Sequence, residues 1–308
     1  MMHRMSIWSA VTVVAHLVGA VAVLAHEPGQ QSARETIVVA QAQRTSGAQR
    51  QPISRRLERE RANENTVTII SGNPNGSYLY LAYDMSAVLD DGDNLRVMPV
   101  IGKGGYQNVK DILLLKGIDL GITQSNIMTH FKSTGELGTN IEERLSFITI
   151  LYNEEVHLLA GSGIETVQDL NGKKCNLSDI GSGTQFSTRL IFGLLGVKCQ
   201  EVNLGQADAY LKVKSGEIAA TIIIAGKPSG AFSKFNLEPG MKLLPIPYTE
   251  ALENDYFPAS LTHKDYPNLI PEGQSIETVA VGAVLAHIGA CTDQNCGCEG
   301  NCRGEGST

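Results

Sequence analysis

Between residues 66 and 225 the sequence alternates short apolar segments with amphipathic ones, and this alternation limits the fold more than any other feature. Helices are expected to begin at Ser77, Gly105 and about Gln206, and another is expected to follow the turn Gly181–Thr184 and run through Phe186, Leu190 and Leu194. Strands that alternate with helices are typical of an α/β fold with a mostly parallel sheet. The predicted strands are Thr66–Ser71, Leu95–Ile101, Asp119–Thr123, Ser146–Tyr152, Glu155–Ala160, Lys173–Leu177, Glu201–Leu204 and Glu217–Ala225.

Two segments within this region resemble each other. One runs from Gly105 to Ile122 and the other from Gly205 to Ala220, and each contains a helix, a Lys, a Gly stop, an acidic residue and a buried strand. Ordinary βαβ sequences can produce the same match. Together with the Gly-rich turns described next, the repeat favours two similar lobes that face each other across a cleft, where open α/β sheets bind ligands.

Four Gly-rich turns lead into predicted helices. They lie at Gly76–Tyr78, Gly104–Asn108, Gly181–Gln185 and Ala225–Ser229. A helix N-terminus presents unpaired N–H groups at the positive end of the helix dipole, so each turn suits a carboxylate or a phosphate. For any single turn, plain N-capping by Ser or Thr is the alternative.

Charge and motif content narrow the classes of function. Residues 66–308 carry 17 basic and 27 acidic side chains, and an acidic body repels a phosphate backbone, so we expect no nucleic-acid partner. No turn has the Walker A Lys or the GxGxxG pattern, and Ser182 does not lie in a GxSxG elbow. Glu154 and Glu155 are strand neighbours that point to opposite faces, and His157 is expected to be a core residue. We expect a binding protein without a cofactor, and no enzyme.

The N-terminal residues predict export. Arg4 precedes the apolar run Ile7–Ala25, which is typical of a secretory signal peptide of residues 1–25. A membrane anchor is the alternative, and Ala40–Ala42 is a second possible cleavage site. Residues 26–65 show no sustained period and are expected to form a disordered arm or linker. The mature protein is therefore expected to be exported.

An exported chain meets oxidising conditions, which affects how its six cysteines are interpreted. Cys175 and Cys199 each begin a predicted strand, and a disulfide between them is one interpretation, with two small buried side chains as the other. The remaining four lie in residues 291–308, a Gly-rich tail without paired C-x2-C knuckles. No metal site is expected there.

The ordered set of motifs resembles a known family. The sequences TVTIISGNPNGSYLYLAYDMSAVL, GKGGYQNVKDILLLKGIDLGITQSN and AGKPSGAF, with the stretch 151–196, are similar to the TAXI family of TRAP-transporter solute receptors. The resemblance extends from about Thr66 to Ala286. It implies an α/β fold of the type II periplasmic-binding-protein kind, with two lobes of mostly parallel sheets and a ligand cleft between them. Lobe 1 would comprise 66–152 and 247–290, and lobe 2 would comprise 153–246.

The resemblance also implies a function. It indicates a periplasmic, monomeric receptor that binds a small organic anion, such as glutamate, 2-oxoglutarate or a similar dicarboxylate or 2-oxoacid, and delivers it to the TRAP membrane permease. A sensor input or enzyme on the same fold and a truncated, non-functional receptor are the alternatives. Carried over position by position, the ligand-binding residues would be Gly76, Ser77, Tyr78, Gly104, Gly105, Tyr106, Gln107, Gln124, Ser125, Ser182, Gly183, Thr184, Gln185, Ala225 and Gly226.

Two features depart from the family. Tyr106 stands where the family commonly has Ser or Thr, and is expected to narrow the pocket or to stack on the ligand. After Ala286 the family continues into helices that complete lobe 1, whereas this chain continues into the Cys- and Gly-rich tail. We therefore expect an atypical, truncated C terminus and a first lobe with exposed apolar surface.

Overall fold

The computed structural model of the protein describes residues 51–289 except Asn75 and Asp93, with side chains from Arg55 onward. The predicted signal peptide, most of the predicted arm and the tail lie outside the described residues. The chain divides into two compact units, residues 1–64 and 65–308. The described part of the first unit is helix α1 (Gln51–Glu64), which lies where the sequence analysis expects a linker. Within the described ranges, no helix is long and apolar enough to span a membrane.

Residues 66–124, called repeat 1, form a βαβαβ unit. Its three strands are parallel and have the order β2-β1-β3. Each element was predicted, with bounds that differ by a residue or two because frayed ends carry no sequence signal. The elements are β1 (Thr66–Ile70), α2 (Ser77–Leu89), β2 (Arg96–Val100), α3 (Gly105–Leu114) and β3 (Leu120–Gln124).

Two helices and one long strand follow repeat 1. They are α4 (Ser125–Thr134), the short α5 (Ile141–Arg144) and β4 (Leu145–Ala160). The sequence analysis predicts two strands in place of β4, and this prediction is wrong. The polar residues Asn153, Glu154 and Glu155 interrupt the apolar pattern, but β4 stays continuous because both of its halves pair with β10 or β7 along the sheet.

Residues 174–225, called repeat 2, have the same plan as repeat 1. The strand order is β6-β5-β7, all parallel, so the similarity seen between the two Gly-helix-strand segments extends to a complete βαβαβ unit. The elements are β5 (Lys174–Asn176), α6 (Gly183–Leu194), β6 (Gln200–Val202), α7 (Gln206–Lys214) and β7 (Ala220–Ala225).

Two long antiparallel strands join the repeats. Strands β8 (Lys242–Leu243), β9 (Phe257–Thr262) and β10 (Ser275–Ile288) follow repeat 2. β10 pairs with β3 of repeat 1 and with β4, and β4 pairs with β7 of repeat 2. The ten strands of the described chain therefore form one sheet whose main path is β2-β1-β3-β10-β4-β7-β5-β6. The chain passes between the repeats twice, along β4 and along β10.

Buried side chains cover both faces of each repeat. In repeat 1 one face packs around Val109 and Phe131 and the other around Tyr78 and Ile122. In repeat 2 the strand β7 is buried on both faces, as predicted. Leu252 and Tyr256 pack into the core of repeat 2, although the sequence analysis assigns 247–290 to the first lobe.

Candidate functional site

A cleft in the described structure has walls from both repeats. Helix α2 of repeat 1 forms one wall, and α7 of repeat 2 forms the other together with residues 226–235, which follow repeat 2. The cleft has a volume of about 870 Å³. Tyr152, on the connecting strand β4, lies at its inner end beside Gly226, where a Cβ atom would come within 3.0 Å of the Tyr152 ring. The cleft therefore opens between repeat 1 and repeat 2, which the chain connects through the strands β4 and β10.

One face of α2 supplies the first wall. Ser77, Tyr80, Leu81 and Asp84 lie at positions i, i+3, i+4 and i+7, so they share one side of the helix. Ser77 is the first residue of α2, and Gly76 is its N-cap without a side-chain hydrogen bond. Amide groups at the start of α2 are thus close to the cleft.

The second wall is aromatic and basic. Tyr210 and Phe235 stack with ring centroids 4.3 Å apart, and the Tyr210 hydroxyl donates to the carbonyl of Asn236 at 2.7 Å. Lys227 donates to the carbonyl of Ser260. Lys234 also lines the cleft and is exposed. This wall has a fixed aromatic surface with cationic side chains beside it.

Helices α3 and α6 meet directly, at a second contact between the repeats. A Cβ on Gly105 would lie 2.9 Å from the Cα of Gly183, and the amide of Gln107 donates to the carbonyl of Gly181 at 3.0 Å. Ser182 caps α6 by accepting from the amide of Gln185 at 3.1 Å. A Cβ on Gly105 would meet the backbone of Gly183, and a Cβ on Gly183 would meet the side chain of Gln124, so both helix starts favour glycine.

A buried polar network extends from this contact. The Ser187 hydroxyl donates to Oε1 of Gln124 at 2.6 Å, and the Asn126 amide donates to the Ser187 hydroxyl and to the Tyr256 hydroxyl, both at 2.8 Å. Nε2 of Gln124 donates to Glu154 at 2.8 Å. The network links repeat 1, α6 and the connecting strand β4 through side chains that are shielded from water.

Glu154 lies at the end of this network and is fully buried. Its carboxylate accepts from the hydroxyl of Tyr78 at 2.9 Å and from that of Tyr152 at 3.4 Å, as well as from Gln124. Burial raises the pKa of Glu154 to about 7, although these donors act in the opposite direction. The neighbouring Glu155 lies towards Lys227 instead, and burial raises its pKa as well. The two carboxylates point to opposite faces of β4, as expected.

His157 is a core residue, as predicted. Its Nε2 lies 2.7 Å from the hydroxyl of Tyr266, whose oxygen also accepts from the amide of Ser229 at 2.6 Å. Complete burial lowers the pKa of His157 to about 4. Among the described side chains of residues 55–289, which exclude Asn75 and Asp93, no group of three His, Cys, Asp or Glu is arranged to hold a metal ion.

The structure divides the predicted ligand-binding residues into two groups. Ser77 and Gly226 line the cleft. Tyr78 and Gln124 hold Glu154, and Thr184 exchanges hydrogen bonds with the backbone of Ile224. The other residues that lie outside the cleft lining are Gly76, Gly104, Gly105, Tyr106, Gln107, Ser125, Ser182, Gly183, Gln185 and Ala225.

The prediction of a helix start at Ala225–Ser229 is wrong. Strand β7 ends at Ala225, and the next helical turn spans only Phe232–Lys234. Gly226 and Pro228 are poor helix formers, and this segment instead forms an irregular wall of the cleft.

Tyr106 takes part in an aromatic cluster between the repeats. Its ring stacks on Phe131 at 4.8 Å and on Phe186 of α6 at 5.3 Å, and its hydroxyl donates to Glu136 at 2.7 Å. Tyr106 therefore joins α3 to α6, where the sequence analysis expects it beside a ligand.

The sequence analysis missed most of the cleft lining. Tyr80 and Asp84 belong to the exposed side of α2, and Tyr210, Lys234 and Phe235 lie in segments without a Gly-rich turn. The available signal was the spacing of Ser77, Tyr80 and Asp84 on one helix face.

Cys175 and Cys199 are adjacent thiols in repeat 2. Cys175 is buried and Cys199 half-buried. The pKa of Cys175 is raised and that of Cys199 is lowered, because the thiol of Cys175 donates a hydrogen bond that stabilises the thiolate of Cys199. The disulfide between them stays a prediction.

Two similar βαβαβ repeats, joined by two strands, define an α/β protein with a cleft between α2 and α7. Residues 69–294 match the model of the NMT1-like family. The chain belongs to the NMT1-like family.

Solved structures of binding proteins are similar to the chain. The periplasmic aliphatic sulphonate binding protein SsuA of Escherichia coli is 19% identical over 70% of this chain and 61% of its own, with a TM-score of 0.40. The alkanesulfonate-binding SsuA of Xanthomonas axonopodis pv. citri is 17% identical over 72% and 65%, with a TM-score of 0.43. The amino acid ABC transporter substrate-binding protein AbpA of Streptococcus pneumoniae is 15% identical over 75% and 84%, with a TM-score of 0.41. The chain thus spans less than two thirds of either SsuA protein.

Proposed function

We propose that this protein is a periplasmic solute receptor that binds a small organic anion in the cleft and delivers it to the permease of a TRAP-type transporter. The observation that carries the proposal is that both repeats supply walls of one cleft of about 870 Å³. A ligand that touches both walls stabilises their approach, which is how a receptor converts binding into a shape that a permease can recognise.

The lining supports an anionic ligand. Lys227 and Lys234 lie on one wall, and Ser77 and Gln206 are the first residues of α2 and α7. Cationic side chains and the amide groups of two helix starts favour a carboxylate. The resemblance to the TAXI family suggests dicarboxylates and 2-oxoacids, such as glutamate and 2-oxoglutarate, as the first compounds to test.

The α3–α6 contact supports a hinged receptor. Most of the ligand-binding residues expected from the resemblance lie at this contact, where Gly105 and Gly183 touch. In the proposed mechanism this contact holds the closed state and β4 and β10 bend to open it, with lobes at 66–152 plus 247–290 and at 153–246. A monomer is sufficient for this mechanism.

Isothermal titration of the full chain with glutamate, 2-oxoglutarate, succinate and pyruvate tests the proposal. We expect saturable binding of at least one anion. Ala207→Tyr places a ring in the cleft from the start of α7 and should weaken binding by at least tenfold, whereas Asp208→Tyr, one residue along and outside the lining, should have little effect. Absence of binding by any organic anion to folded protein, or equal effects of the two variants, would contradict the proposal.

Recovery of the ligand distinguishes a receptor from an enzyme. After incubation with the protein, the bound compound should return chemically unchanged in its NMR spectrum. A new product that forms in proportion to the protein concentration would favour an enzyme on the same fold.

A further inference from the structure

The cleft is larger than a small dicarboxylate requires. Its volume of about 870 Å³ lies in the upper part of the range of roughly 300–1,000 Å³ that holds drug-sized ligands. Large apolar or aromatic side chains line much of it, namely Tyr80, Leu81, Tyr152, Tyr210, Leu211 and Phe235. Such a surface gains free energy by burying an apolar body and gains little from a ligand that is charged at both ends.

The aromatic side chains are arranged to hold a flat ring. The rings of Tyr210 and Phe235 are stacked and nearly parallel, with an angle of 11° between their planes, and Tyr210 is fixed by its hydrogen bond to the carbonyl of Asn236. Tyr80, on the opposite wall, is 65% exposed and makes no ring contact among the described residues. Phe235 is only 6% exposed and supports the ring of Tyr210, so a ring that enters from the open side can stack against Tyr80 or Tyr210 without displacing a packed side chain.

The charges of the lining suit one carboxylate. The ammonium of Lys227 is occupied by the carbonyl of Ser260 and lies 3.7 Å from Asp265. Lys234 has no ion-pair partner in the described part of the chain, and it is therefore available to a ligand. Asp84, on the opposite wall, adds a negative charge to the lining, which disfavours a second carboxylate in the cleft.

We infer that the cleft selects an aromatic monocarboxylate over a dicarboxylate, with the ring between Tyr80 and the Tyr210–Phe235 stack and the carboxylate at Lys234. This inference rests on the proposed function, because it names the class of anion that the same cleft binds. It differs from the ligand class that the resemblance implies.

Phenylpyruvate and 2-oxoglutarate form a matched pair of probes. Both carry the same 2-oxocarboxylate group, and they differ at the far end, where one has a phenyl ring and the other a second carboxylate. In isothermal titration of the full chain we expect phenylpyruvate to bind at least tenfold more tightly. Equal or tighter binding of 2-oxoglutarate overturns the inference and leaves the proposed function standing, whereas failure of both probes and of the anion panel overturns both.

Exposed residues of the cleft locate the selectivity. Tyr80→Ala should weaken phenylpyruvate binding about tenfold and leave 2-oxoglutarate binding unchanged, since only the phenyl ring loses its stacking partner. Lys234→Gln should weaken both probes. Tyr83→Ala is the control. The ring of Tyr83 lies on the same helix, is 58% exposed and does not line the cleft, so its removal should leave the binding of both probes unchanged. The inference is overturned if Tyr80→Ala weakens the binding of both probes equally. It is also overturned if Tyr80→Ala and Tyr83→Ala weaken phenylpyruvate binding equally.

Discussion

At the scale of single residues, Glu154 has the most unusual environment in the described structure. It is buried among two tyrosine hydroxyls and the Gln124 amide, on the strand that connects the repeats. Its pKa of about 7 means that it is largely protonated in mildly acidic solution and ionised in mildly alkaline solution. Protonation of this one side chain therefore couples the stability of the connecting strand to pH.

Glu154→Gln should change how stability depends on pH. The folded-state pKa lies near 7 and the ordinary value is 4.5, so between these values the folded state holds a proton that the unfolded state releases. Stability consequently falls as pH rises through this range, by about 3 kcal/mol in total. Gln does not titrate, and its amide oxygen can accept from Tyr78 and Gln124. Urea denaturation should show the variant gaining about 3 kcal/mol relative to the unmodified protein between pH 4.5 and pH 8.

His157 also makes stability depend on pH, so the effect of Glu154 is measured as the difference in unfolding free energy between Glu154→Gln and the unmodified protein. Its pKa is lowered to about 4, so the unfolded state binds a proton first as the pH falls, and stability is lost between about pH 6.5 and pH 4. The two effects have opposite slopes and partly cancel in the unmodified protein. A stability difference between Glu154→Gln and the unmodified protein that stays constant from pH 4.5 to pH 8 would show that Glu154 is not protonated in the folded state.

At the scale of elements, α6 shows where sequence reasoning succeeds and where it fails. A helix through Phe186, Leu190 and Leu194 was predicted, but these three side chains are half-buried or exposed. The buried residues of α6 include the polar Ser187 and Thr188 as well as Ile191 and Phe192. An apolar pattern identifies faces that pack against apolar neighbours, whereas Ser187 is buried because Gln124, 63 positions away, pairs with it. A partner that distant has no local sequence signal.

Two glycines of α6 give a matched test of the α3–α6 contact. A Cβ on Gly183 would lie 2.7 Å from Cδ of Gln124, whose side chain is held by Glu154 and Ser187 and cannot move freely. We expect Gly183→Ala to lower the free energy of unfolding by about 1–3 kcal/mol. A Cβ on Gly193 meets nothing within 4 Å, so Gly193→Ala should raise it by about 0.5–1 kcal/mol. Urea denaturation of both variants measures these values, and a neutral Gly183→Ala would mean that the contact is open in solution.

At the scale of the whole molecule, the two repeats place equivalent helices at two positions. In the order of elements α2 corresponds to α6 and α3 to α7, so the α3–α6 contact and the α2–α7 cleft each bring together the same two kinds of helix. The α3–α6 contact is closed by touching glycines, whereas the α2–α7 cleft is open. The internal sequence repeat and the strand–helix alternation were sufficient to predict an α/β fold that contains two similar repeats. They were insufficient to predict which of the two helix pairs encloses the cleft, because that depends on distances between helices that are far apart in the sequence.

The most direct test of the central claim is a crystal structure of the full chain grown with the anion that binds most tightly in titration. We expect electron density for one ligand between α2 and α7, in contact with both walls, and its carboxylate about 3 Å from the ammonium of Lys234. Ligand density on an outer surface of either repeat, with only solvent between α2 and α7, would contradict the claim that the two repeats enclose a small anion.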